Sequence, residues 1–207
     1  METQTTALKA DVKTKLLDAA LLAIRTKGYA ATTVDDICRL AGVSKGSFFH
    51  YFSDKEALAI AAAGHFGAVA IQIFGSAPYR DEPDPRERVL QYIDFRAAMF
   101  AGDFTDFTCL LGTMVQETYV THPAIRDACD VHLRQHADDV AGDLEAAKRM
   151  YAPDAPWSSL SMAHFMQAVL QGTFILAKAQ NGSAIGPDCL AHLRRYLETE
   201  LRKTSRD

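Results

Sequence analysis

Residues 33–56, TVDDICRLAGVSKGSFFHYFSDKE, decide the fold. Asp36, Ile37 and Leu40 carry a short helix into Ala41-Gly42-Val43, where Gly42 turns the chain without a Cβ penalty. Ser44 restarts a helix as its N-cap, and Phe48 and Phe52 fall at i, i+4 on one face. Two short helices set steeply across a glycine turn form a helix-turn-helix, whose second helix enters the major groove of DNA. The stretch therefore predicts a DNA-binding protein. Ser53-Asp54-Lys55-Glu56 then has the spacing of a capping box, with Ser53 as N-cap, so a third helix starts just after the recognition helix. Its positive dipole end is placed to meet a phosphate. A nearby anion also accounts for Lys55 in a first turn where the dipole disfavours a cation.

Working outward, the match to a known pattern runs from Lys15 to Leu58, through LLDAALLAI and KGYAATTVDDICRLAGVSKGSFFHYFSDKEAL. This segment resembles the TetR family of bacterial transcription regulators, and VSKGSFFHYFSDKEAL is its most specific run. The resemblance covers about the first quarter of the chain. It implies three helices that bind a double-stranded DNA operator as a homodimer, followed by a helical domain that senses a small-molecule effector. By the same resemblance Lys45, His50, Tyr51 and Lys55 contact phosphates, and Gly46 and Ser47 face the groove floor. Cation, imidazole and phenol donors suit phosphate oxygens. Thr33, the N-cap of the second helix, is a further candidate phosphate donor, although capping alone explains it as well. Phe49 departs from the family, where tyrosine is frequent, and is expected to pack rather than donate. The recognition helix holds no Arg, Asn or Gln for high-information base pairing, so sequence choice falls to Lys45, Ser47, methyl contacts and DNA shape.

The net charge of −4 argues against indiscriminate coating of nucleic acid. Residues 1–56 hold eight Lys/Arg against seven Asp/Glu, and the remainder holds fourteen against nineteen. Positive charge therefore acts locally, at Lys45, Lys55 and the cluster Lys9, Lys13 and Lys15. The cysteines Cys38, Cys109, Cys129 and Cys189 have no paired spacing, and the N-terminus has no apolar targeting segment, as in a cytoplasmic protein with reduced thiols. Two charge-free stretches, 57–79 and 155–177, are long enough to span a bilayer. Gly64, His65 and Gln72 interrupt the first, and His164, Gln167 and Gln171 the second, so both are assigned to helices within the protein and no membrane partner is expected.

Beyond the helix-turn-helix, turn signals separate further helices. Asp84 caps one through about Phe100 with Pro85 at its first position, and a shorter one runs from about Thr108 to Tyr119. Thr121-His122-Pro123 opens a long helix to about Met150, and helices over 157–179 and 187–203 close the chain. No stretch alternates with period two, so the expected fold class is all-α. It comprises an N-terminal three-helix helix-turn-helix DNA-binding domain, residues 1–56, and a helical ligand-binding and dimerisation domain, residues 57–207.

Helix 157–179 is apolar on nearly every side, which demands burial on more than one face. Its residues Phe165, Ala168, Val169, Gly172 and Leu176, with Leu193 and Leu197 of the last helix, are the expected dimer interface, and the resemblance implies a four-helix contact there. The run CLLGTMVQETYVTHPAIRDAC, residues 109–129, resembles the ligand domain of one subset of the family. Expected pocket residues are Phe66, Met99, Phe104, Phe107, Met114, Glu117, His136 and Phe165, a set suited to a mostly apolar ligand, although aromatic and Met residues at helical spacing also build cores. Cys129, His132 and His136 fall at i, i+3 and i+7, a spacing compatible with a metal-sensing regulator, but no fourth ligand is identifiable. Cys129 with His132 lacks an oxyanion hole and an orienting third group, so no enzyme is expected. No metal or cofactor is assigned. A ligand-independent architectural DNA-binding protein is the remaining alternative.

Overall fold

The computed structural model describes residues 2–202, with side chains from residue 12 onward. The Lys9 side chain, part of the expected basic cluster, and Lys203, the expected end of the last helix, lie outside the described residues. Every regular element among the described residues is helical, which makes the chain all-α as expected. Packing divides it into two compact units, residues 1–71 with 109–132 and residues 72–108 with 133–207. The expected boundary after residue 56 thus falls inside the first unit. The helix that follows it buries Leu58, Ala59, Ala62 and Ala63, and residues 109–132 join the same unit.

In the first unit, α1 (Glu2–Lys27) buries Leu16, Ala20 and Ile24, and it ends at Gly28 in the left-handed region, φ 87°. Thr33 caps α2 (Val34–Ala41) through a reciprocal capping box with Asp36. Gly42, at φ 66°, closes α2 with its N–H on the Arg39 carbonyl. Ser44 caps α3 (Lys45–Tyr51) by accepting from the Ser47 N–H at 3.1 Å. Ile37 and Phe48 are fully buried beneath this turn and Phe52 nearly so, each such side chain stabilising the fold by about 1.5–3 kcal/mol.

The cap of α4 (Lys55–Gly75) corrects an expectation: Asp54, not Ser53, accepts the Ala57 N–H at 2.7 Å. Ser53 donates instead to the Asp54 carboxylate at 2.9 Å. Asp54 is one residue nearer the helix, and an ionised carboxylate is the stronger acceptor. The same carboxylate already occupies the helix N-terminus expected to face phosphate. Cys109 caps α7 (Leu110–Thr118), and the first part of α8 (Pro123–Tyr151) completes the unit with Ile125 and Cys129 buried.

In the second unit, a 3-10 turn spans Pro78–Asp81. Asp84 caps α5 (Pro85–Ala98) as expected, a second 3-10 turn follows at Met99–Ala101, and the short α6 spans Phe104–Phe107. The helix expected from about Thr108 to Tyr119 is α7, and the short α6 precedes it. The later part of α8, α9 (Ser159–Ala179) and α10 (Ile185–Glu200) complete the unit. α10 packs on α5 and α9, burying Leu90, Ile93, Met166, Leu190, Leu193 and Leu197. Helices α4 and α9 are long and apolar enough to cross a bilayer by length and composition. Each has a polar side chain bonded within its own unit: His65 to Asp18 at 2.7 Å, and Gln167 to the Leu133 carbonyl at 2.9 Å.

Candidate functional site

The solvent face of α3 presents Lys45, Gly46, Phe49 and His50, while Phe48 points into the core at zero exposure. One turn of helix thus separates a buried side from a solvent-facing side. Lys45 pairs with Asp35 at 2.7 Å, which holds the ammonium pKa above its ordinary value. Both partners are exposed, so phosphate can replace the carboxylate at little cost. A Cβ at Gly46 would meet only the Ser44 Oγ at 3.6 Å, so nothing in the fold demands glycine there. Phe49 does not pack away as expected: it is 56% exposed, with its ring edge-on to Phe48 at 5.1 Å. The reason is that Phe48 and Phe52 already fill the core side of the turn. His50 stands edge-on to the half-buried Tyr51 at 4.8 Å, and Ser47 shares a hydrogen bond with Ser44 at 3.0 Å.

Two expected phosphate donors have other partners. Thr33 Oγ1 donates to Asp36 at 2.7 Å while capping α2, and Lys27 adds the largest share to holding Asp36 well below the usual carboxylate range. Lys55 Nζ donates to the carbonyls of Tyr29 and Thr32, both at 3.0 Å, and lies 4.2 Å over the Tyr29 ring. Burial pulls its pKa down, offset in part by Glu117. Lys55 thus ties α4 to the α1–α2 loop. From α7, Glu117 grips the other side of that loop by accepting the N–H groups of Tyr29 at 3.1 Å and Ala30 at 2.7 Å. The Tyr29 ring also meets His122 edge-on at 5.3 Å. Glu117, expected in a ligand pocket, is committed to this latch. No spacing in the chain announces it, because its members are 87 and 88 residues apart.

On the second unit, α9 leaves Phe165 (44%), Ala168, Ile175 and Leu176 exposed along one stripe, with Val169 and Gly172 half-buried. Tyr196 of α10 stands edge-on to Phe165 at 5.3 Å. Leu193 and Leu197, expected in a dimer interface, are instead buried within their own unit, because that stripe of α10 faces α5 and α9. The face of α10 beside Phe165 is carried by Tyr196.

The expected pocket residues are divided between the two units. Phe66, Met114 and Glu117 belong to the first unit, where Arg25 lies 5.7 Å over the Phe66 ring and Met114 is a fully buried core residue. Phe165 is on the exposed α9 stripe. In the second unit Phe104 and Phe107 (5.4 Å apart) join Phe100 and Phe174 in a ring cluster, with Phe100 stacked on Phe107 at 4.5 Å. Met99 is half-buried at the start of the 3-10 turn. His136 shares a hydrogen bond with the Tyr92 hydroxyl at 3.0 Å and lies 4.9 Å from the Phe74 ring. Burial, and then Arg96, push its pKa down to about 4. Sequence reasoning missed Phe74, Tyr92 and Arg96; the last two stand four residues apart on α5, a spacing that marks one helix face.

The metal alternative loses its geometry. Among the described residues no three His, Cys, Asp or Glu side chains are grouped to hold an ion. Cys129 is fully buried, which with Cys109 nearby pushes its thiol up to about 12. His132 is pressed against Gly67, where a Cβ would meet its ring at 2.4 Å.

Residues 16–62 match the model of the family described as bacterial regulatory proteins, tetR family. The chain is 24% identical over 173 residues to the HTH-type transcriptional repressor NemR of Escherichia coli (strain K12), covering 84% of this chain and 87% of that protein. Over 90 residues it is 40% identical to the HTH-type transcriptional regulator BetI of Rhizobium meliloti (strain 1021), covering 42% and 44% of the two chains. The solved structure of E. coli NemR in its reduced form superposes with a TM-score of 0.79 at 22% identity, over 94% of this chain and 99% of that one. FadR from Bacillus subtilis, solved in complex with stearoyl-CoA, has the same fold at a TM-score of 0.72 and 16% identity, over 90% and 98%. With the helix-turn-helix built as described and these relatives beside it, residues 16–62 are identified as a DNA-binding domain of the tetR family of bacterial regulatory proteins.

Proposed function

We propose that the protein is a cytoplasmic homodimeric repressor that binds a pseudo-palindromic operator and is released by a small molecule. The observation that carries the DNA-binding half is the two-sided α3, with Phe48 buried and Lys45, Gly46, Phe49 and His50 facing solvent. In a dimer, two such helices enter successive major grooves about 34 Å apart. Lys45 and His50 hold phosphates, Gly46 lets the backbone approach, and the exposed Phe49 ring meets a thymine methyl. The exposed apolar stripe of α9 supports the dimer, since a monomer rarely leaves such a patch uncovered. The likeness in fold to FadR, whose structure holds stearoyl-CoA, supports an organic effector. Effector binding acts only through its differential affinity for the DNA-bound and released states.

The test separates Lys45 from Lys55, on an operator recovered by selection from a random duplex pool. Lys45→Ala is expected to weaken binding about tenfold and to reduce the slope of log K against log salt by about one unit. Lys55→Ala is expected to leave that slope unchanged while costing about 1–2 kcal/mol of stability, because two loop carbonyls lose their donor. An unchanged slope for Lys45→Ala would remove α3 from the phosphate contact. A slope change for Lys55→Ala alone would return the phosphate role to α4.

A further inference from the structure

Arg96, among the described residues of the second unit, has a buried polar atom that its surroundings leave without a partner. It sits in the last turn of α5, half-buried, with its guanidinium carbon 5.0 Å from the Phe74 ring centre and 5.7 Å from that of Phe174. Its Nε is enclosed and has no hydrogen-bond partner. Among the described residues no carboxylate pairs with it, whereas Arg80, Arg88 and Arg194 of the same unit each hold one. Asp139, the acid that also acts on Tyr92 and His136, is committed to Arg80. Rings above a guanidinium satisfy its faces through cation–π attraction, but they accept nothing from its in-plane N–H groups. Those groups form a planar fork that matches two carboxylate oxygens.

The surroundings narrow the ligand. Tyr92, one turn earlier on α5, and His136 bond to each other, and His136 is neutral at pH 7, which leaves Arg96 as the group's cation without a carboxylate, since Arg80 is paired with Asp139 and Asp143. Phe174 joins this group to the Phe100–Phe107 stack, with Phe100 at 5.8 Å, so apolar surface continues away from the charge. We infer that Arg96 anchors the carboxylate of an amphipathic organic acid whose aryl or alkyl part lies against the Phe74 and Phe174 rings. The inference rests on the effector reading above and gives that effector a chemical class.

The experiment is calorimetric titration of the full chain at neutral pH with two matched pairs, octanoate against octanamide and 3-phenylpropionate against 3-phenylpropanamide. At least one acid is expected to bind tenfold or more tightly than its amide. Arg96→Met, which keeps the stem packed between the rings, is expected to bring that acid down to the amide's affinity, and Arg96→Lys to restore part of the difference. Melting temperatures of both variants check the fold, and the acid–amide comparison on the unaltered protein needs no variant. Acids that bind no better than amides, acids that do not bind, or a preference that survives Arg96→Met would each overturn the inference. Operator release is read separately. Release by amides as well as acids would keep an effector and discard the Arg96 anchor, whereas tight acid binding without release would keep the anchor and discard the effector role.

Discussion

Gly172→Glu is expected to turn the protein into a monomer at micromolar concentration while leaving its fold intact. A Cβ built at Gly172 meets nothing within 4 Å, so the lone chain has room for the longer side chain. Glycine in a helix interior also costs about 1 kcal/mol relative to alanine, which offsets part of any local strain. In the dimer the same carboxylate would be enclosed between two copies of the apolar stripe that runs through Phe165, Ala168 and Leu176. An unpaired carboxylate buried there costs several kcal/mol, the scale of an interface hot spot. Operator affinity is expected to fall by about two orders of magnitude or more, since each head then binds its half-site alone. Sedimentation velocity with a parallel circular dichroism melt decides it. A variant that stays dimeric with an unchanged melt would place the interface away from α9.

What the chain alone disclosed was the part decided by local chemistry. Gly42, Ser44 and Thr33 announce the turn and two caps because each acts on groups within three residues of itself. Asp84-Pro85 marks a helix start for the same reason. Adjacent candidates blur such signals: Ser53 and Asp54 both cap well, and the start of α4 moved by one residue. Periodicity showed that Leu193 and Leu197 are buried, but not against what; both face their own unit. Lys55 was legible as a cation in an unfavourable place. Its true partners, the carbonyls of Tyr29 and Thr32, are 26 and 23 residues away, where no spacing rule reaches. Arg96 is harder still, because its significance is a missing carboxylate, and an absence of pairing leaves no trace in sequence.

The loop between α1 and α2 carries the second large effect, and Gly28→Ala is the variant that exposes it. At φ 87° an L-residue costs about 1–2 kcal/mol. The new Cβ would also stand 2.4 Å from Glu117 Oε1. A free carboxylate would simply swing aside, but this one accepts the Tyr29 and Ala30 N–H groups, so its retreat gives up two charge-assisted hydrogen bonds. Because Glu117 is exposed, their net worth is at the low end, on the order of 1 kcal/mol each. The sum is a loss of about 3 kcal/mol, or roughly 6–12 °C in Tm for a chain of this size. Operator affinity should fall as well, since the loop leads directly into the Thr33–Asp36 cap of α2. A double-mutant cycle isolates the latch. With Glu117→Ala already in place, Gly28→Ala should cost only its backbone penalty, so the two losses should fall short of additive by about 1–2 kcal/mol. Strict additivity in the melts would mean that Glu117 does not hold the loop and that the backbone strain at residue 28 acts alone.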